Sequence, residues 1–155
     1  MRIIQPGPLI LQKTSLPGLK FKGHHQETFQ ITVLEEDIIR VQHFPDGKPR
    51  LSRTWSIAGK NGEVPLQGRS REDVSAFQLP SFKISKSTNK VQFSTATMQV
   101  EIDKLDGSLT WRTQPDLKIF AADLQRRAYS YDQNGDTVFH YLERRPDEHY
   151  YGLGE

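Results

Sequence analysis

Apolar and polar side chains trade places at every second residue through several short stretches of this chain, the period of a strand with one buried face. Phe29, Ile31 and Val33 alternate with Gln30 and Thr32; after the polar break Glu35-Glu36-Asp37, Ile39 and Val41 alternate with Arg40 and Gln42. Two such runs joined by so short a link read as an antiparallel hairpin with an acidic tip. Phe44-Pro45-Asp46-Gly47-Lys48-Pro49 ends it, because proline has no N–H for a ladder and Asp-Gly suits a tight turn. A second series starts at Phe82 and Ile84 and continues through Val91, Phe93 and Thr95, then Met98, Val100 and Ile102, then Leu109 and Trp111. Ser87-Thr88-Asn89-Lys90 and Asp106-Gly107-Ser108 separate these runs, so three or four strands form an antiparallel meander. Residues 58–74, rich in glycine and charge, read as a long connection. Residues 123–129 admit one short helical turn before Asp132-Gln133-Asn134-Gly135-Asp136 breaks it, and residues 138–142 read as another strand. The expectation is an all-β, antiparallel β-sandwich.

A length of 155 residues suits one domain with its own core. Hydrophobic residues make up 35%, a modest share, yet 10% of the chain is aromatic and the apolar period is clear, which argues for a folded domain. Lysine and arginine number 21 against 19 aspartates and glutamates, so no strong field favours nucleic acid or anionic lipid. There is no cysteine for disulfides or thiolate metal sites, which fits a reducing compartment. The first twelve residues lack the apolar run and cleavage site of a signal peptide, and no stretch approaches the ~20 apolar residues needed to cross a bilayer. An intracellular protein that does not span a membrane is expected.

Few residues suggest chemistry. His24-His25 is a pair without the third and fourth ligands a metal site needs, and it reads as part of a surface loop; no metal or cofactor is expected. His43, His140 and His149 are scattered at strand ends, where histidines satisfy local hydrogen bonds. Glu35, Glu36 and Asp37 are read as solvated carboxylates at a hairpin tip, and Asp103, Asp106, Asp116 and Asp123 as isolated residues around turns. Arg126-Arg127 and Arg144-Arg145, interleaved with Tyr129, Tyr131 and Tyr141, mimic a single-strand nucleic-acid platform, but the balanced charge speaks against that partner. Trp55 and Trp111 offer faces on which a sugar ring stacks; Trp111, in phase with Leu109, equally suits a core. No phosphate loop, Gly-x-Ser-x-Gly elbow or His-Glu-x-x-His is present.

The last six residues, Tyr150-Tyr151-Gly152-Leu153-Gly154-Glu155, stand apart from their polar surroundings. Two glycines around one leucine, with aromatics before and a carboxylate after, describe backbone turning through positive φ beside a packed ring. Tyr151, Gly152, Leu153, Gly154 and Glu155 resemble the hallmark Tyr-Gly-Leu-Gly-Glu in the N-terminal β-sandwich of glycoside hydrolase family 31, the α-glucosidase and α-xylosidase family. The likeness extends over the hairpin ending in Ile39-Arg40-Val41, the meander from Val91 to Trp111 and the run into the motif.

This resemblance implies a galactose-mutarotase-like sandwich, incomplete within residues 1–155, that packs on a downstream catalytic (β/α)8 barrel of the same polypeptide and helps shape the substrate-pocket entrance. The barrel of that family supplies an aspartate nucleophile and an aspartate acid/base, which hydrolyse a terminal α-glycosidic bond of an oligosaccharide with retention. The Trp-x-Asp-Met-Asn-Glu-like strand end that carries such chemistry is not in this sequence, so the resemblance assigns no catalytic residue here. Residues 151–155 map onto the neighbourhood of the pocket, with Glu155 as a hydrogen-bonding anchor for the loop that follows in family members. A domain cut at that point exposes unpaired edges, so poor solubility or oligomerisation is expected of residues 1–155 alone. The competing reading is a stand-alone carbohydrate-binding or protein-interaction β-sandwich, with Trp55 or the tyrosines making the contacts.

Overall fold

The computed structural model describes residues 2–133 and 137–149, and every regular element among them is a strand. In chain order these are β1 (Ile3–Ile4), β2 (Ile10–Ser15), β3 (Gly18–Lys22), β4 (Thr28–Val33), β5 (Ile39–Phe44), β6 (Arg53–Thr54) and β7 (Arg69–Ser70). There follow β8 (Lys83–Lys86), β9 (Lys90–Ser94), β10 (Met98–Asp103), β11 (Leu109–Thr113), β12 (Ile119–Ala122), β13 (Tyr129–Asp132) and β14 (Val138–His140). Strands β2-β3-β4-β5 form one antiparallel sheet and β12-β11-β10-β9-β8 a second, both meanders because the links are too short for a crossover. β1-β13-β14 make a third sheet and β6-β7 a small ribbon. No described helix is long and apolar enough to cross a membrane.

The period-2 residues meet where the alternation directs them. Leu19, Phe21, Phe29, Ile31 and Val33 from the four-stranded sheet join Val91, Phe93, Val100, Ile102 and Leu109 from the five-stranded sheet in one buried cluster. This is the core of a sandwich, each large side chain contributing roughly 2 kcal/mol by leaving water. Asp46-Gly47 turns as its sequence requires, with Gly47 at φ 74° and its N–H donating to the Phe44 carbonyl at 3.0 Å.

Three expectations are corrected. The acidic tip does not simply sit in water. The Glu36 carbonyl accepts from the hydroxyls of Thr95 and Thr97, each at 2.6 Å, its carboxylate accepts from the Ala96 N–H at 2.6 Å, and the Glu35 carboxylate accepts from the Gln78 N–H at 2.9 Å. The tip of one sheet is thereby fastened to the β9-β10 turn of the other. Residues 123–129 form no helix: Asp123 bridges to Leu142, the Leu124 N–H donates to the Tyr141 carbonyl at 2.9 Å and Arg126 takes φ 64°, so pairing with Tyr141 and Leu142 overrides local propensity. The long connection of residues 58–74 contains β7, whose Arg69 and Ser70 pair with Thr54 and Arg53.

Candidate functional site: an inter-sheet cleft

A cleft of about 540 Å³ is lined by β5 of one sheet, by β11 and β12 of the other, and by residues of β13 and β14. Its apolar walls include Ile39 and Val41 from β5, Trp111 and Phe120 from β11 and β12, and Val138 and Leu142 from the segment around β14. The polar residues are His43, Asp123, Tyr129 and His140. His43 continues the inward phase of Ile39 and Val41, which is how a histidine enters an apolar seam.

Asp123 is the centre of the polar group and is only 2% exposed. One carboxylate oxygen accepts from the Leu109 N–H at 3.0 Å, and the other lies 2.9 Å from His140 Nε2. The Tyr129 phenol hydrogen-bonds to the same carboxylate, and burial together with that negative neighbour raises its pKa, keeping it protonated. The Tyr129 ring stacks on His140 with centroids 4.4 Å apart and planes 6° apart, and meets Phe29 edge-on at 5.0 Å. His43 stacks on Phe29 at 4.4 Å and presents an edge to Tyr129 at 5.6 Å. Burial, with a smaller push from His140, lowers its pKa to about 4, so at neutral pH the ring is uncharged. Both His43 ring nitrogens are buried without a hydrogen-bond partner, contrary to the expectation that this residue satisfies local groups. His140 does meet that expectation, through Asp123.

With both oxygens engaged, Asp123 is an anchor that ties β11, β13 and β14 together, and it is not the isolated turn residue the sequence suggests. Around this anchor the cleft is walled largely by apolar side chains. It offers apolar surface: Ile38, Ile119, Phe120, Val138, Tyr141 and Leu142 are each more than two-fifths exposed in or near the cleft, a density suited to a macromolecular contact.

The other sequence candidates lie elsewhere. Residues 151–155, the motif near the expected pocket, are outside the described residues. His24 and His25 touch edge to face at 5.1 Å, and no group of three or more potential ligands converges among the described residues. Trp111 lines the cleft, whereas Trp55 is 66% exposed on the ribbon, its indole N–H donating to the Leu66 carbonyl at 2.8 Å. The sequence reading missed Glu27, which is fully buried and accepts from the N–H groups of Gly7 at 3.1 Å and His25 at 2.7 Å. Its position two residues before Phe29, in phase with the inward face, was the available signal.

No curated protein sequence matches this chain. Among solved structures it is similar to the cycloalternan-forming enzyme from Listeria monocytogenes in complex with pentasaccharide substrate, with TM-score 0.57 and 11% identity over 84% of this chain and 10% of that one. The same figures hold for the uncharacterized protein lmo2446 from Listeria monocytogenes EGD-e in complex with glucose, magnesium and calcium. The GH31 alpha-xylosidase from Xanthomonas citri aligns with TM-score 0.42 and 20% identity over 76% of this chain and 10% of that one. At these identities the first two likenesses show the fold, and the chain spans a tenth of each relative's length. The sequence profile of the glycosyl hydrolase 31 N-terminal galactose mutarotase-like domain matches residues 28–155. The chain therefore belongs to that family of N-terminal β-sandwich domains of glycosyl hydrolase 31 enzymes.

Proposed function

We propose that this chain is the N-terminal, non-catalytic part of a retaining α-glucosidase-like hydrolase that cleaves terminal α-linked glucosyl or related residues from oligosaccharides. Its work is to pack against a catalytic (β/α)8 barrel of the same polypeptide and to support the entrance of the substrate pocket. The observation that carries this reading is the family match over residues 28–155. The apolar rim of the inter-sheet cleft supports it, since a domain that works by packing needs a surface built to be covered. Tyr151, Gly152, Leu153, Gly154 and Glu155 then approach the pocket, with Glu155 anchoring the loop beyond it.

The test is an assay of the full-length natural protein and of residues 1–155 alone on nitrophenyl α-glucoside and α-xyloside. Hydrolysis by the full protein, with the anomeric configuration of the first product retained, and none by the fragment is the expected result. A full-length protein without a barrel or without α-glycosidase activity overturns the reading in favour of a binding module.

A further inference from the structure

The outer face of the four-stranded sheet, away from the core and from the cleft, carries a second concavity that the packing role leaves unused. Leu19, Phe21, Ile31 and Val33 point into the core, so Lys20, Gln30, Thr32 and Arg40 point outward. Strand register lines them up in two adjacent rows. Lys13 pairs with Lys20, Lys20 with Gln30 and Gln30 with Gln42; beside them Ser15 pairs with Gly18, Gly18 with Thr32 and Thr32 with Arg40. Gly18 leaves the middle of the second row without a side chain.

The segment after β7 folds over one end and makes a groove of about 340 Å³, lined by Lys13, Lys20, Gln30, Thr32, Arg40 and Glu72 among others. That volume falls in the range of small-molecule sites, roughly 300–1,000 Å³. Lys13, Lys20 and Arg40 line the groove together with the Glu72 carboxylate, and Arg40 also feels the charge of Asp73. The next acidic residue, Asp73, is already engaged by Arg69 at 2.6 Å and by the Ser75 N–H at 2.8 Å.

Arg40 is held in place by donating through Nη1 to the carbonyls of Arg71 at 3.1 Å and Asp73 at 3.4 Å. Its Nε is buried with no acceptor, and so is Nε of Arg71, whose carbonyl Arg40 grips. A guanidinium N–H removed from water without an acceptor is costly, and that of Arg40, a residue lining this cationic groove, calls for an oxygen-rich acceptor carrying negative charge. A guanidinium fork and two ammonium groups suit that partner, with Gln30 and Thr32 adding neutral donors.

We propose that this groove binds a small oxyanion-bearing ligand, whose carboxylate, sulfate or phosphate group sits among Lys13, Lys20 and Arg40. The site is independent of any glycosidase activity of the larger protein. Calorimetric titration of the full-length protein at constant ionic strength with sodium sulfate, sodium phosphate and sodium glucuronate tests it, with glucose as the neutral control. Saturable binding of at least one of the three anions is expected, weakened about tenfold or more by Lys20→Gln and by Arg40→Gln and unchanged by Lys22→Gln. Binding of sulfate or phosphate alone assigns a tetrahedral anion, and binding of glucuronate alone an acidic sugar. Lys20 is exposed on β3, so its variant remains informative should Arg40→Gln fail to fold. Absence of saturable binding for all three anions, or binding that survives Lys20→Gln, overturns the proposal.

Discussion

Two inward-pointing polar residues show how a period can be read correctly and its chemistry missed. Glu27 keeps the phase of Phe29, Ile31 and Val33, and His43 that of Ile39 and Val41, so alternation alone places both inside. A reading that equates inward with apolar stops one residue short of each, because the donors that satisfy Glu27 come from Gly7 and His25, outside any periodic run. Replacing Glu27 by alanine strands two buried N–H groups and is expected to lower stability by about 3 kcal/mol in urea denaturation, with glutamine losing about 1 kcal/mol. His43 supplies a pH dependence. Its pKa falls from 6.5 to about 4 on folding, chiefly by burial and secondarily through His140, so between those values the unfolded chain binds more protons. Stability from this source is full above pH 6.5 and declines as pH falls toward 4, by roughly 3 kcal/mol in all. The charged and titratable groups around it are His140, Asp123, Tyr129 and Tyr131. Thermal melts of wild type and His43→Phe between pH 4 and pH 7 measure the effect; equal slopes for the two would contradict it.

At the scale of strands, the hairpin and the meander were legible because each pairs with a neighbour in sequence, and short turns leave no other topology. What was not legible lies at long range or on very short elements. β1 and β6 have two residues each and no period to detect, and β2 reads ILQKTS, with exposed residues at nearly every position. The Glu36 clamp joins residues about sixty positions apart, and nothing local distinguishes it from three solvated carboxylates. Gly18 gives this scale its prediction. A Cβ there would lie 1.9 Å from the Ile31 carbonyl oxygen, a backbone atom of the neighbouring strand that cannot swing aside. Gly18→Ala is expected to force β3 from β4 and cost about 3 kcal/mol or more, read as a lower urea midpoint. Wild-type stability in that variant would mean the strands are not held this closely.

For the molecule as a whole, the sandwich architecture followed from alternation, whereas the cleft did not, since its walls come from five separate stretches of chain. Its apolar rim predicts the behaviour of residues 1–155 in isolation. Sedimentation velocity at micromolar concentration should show self-association, reversed toward monomer by placing charges at Phe120 and Val138, which are 41% and 48% exposed. A monodisperse wild-type monomer would count against a surface built for covering. The third sheet has a kinetic meaning as well. Ile3 and Ile4 pair with Asp132 and Tyr131, so β1 has as its partner a strand that is synthesised more than a hundred residues later. The hairpin and meander can assemble during synthesis, but β1 must wait, exposed, until β13 emerges, and its docking closes a loop of more than a hundred residues. β1 is therefore the latch of this sandwich, set only after the strands between it and β13 are in place.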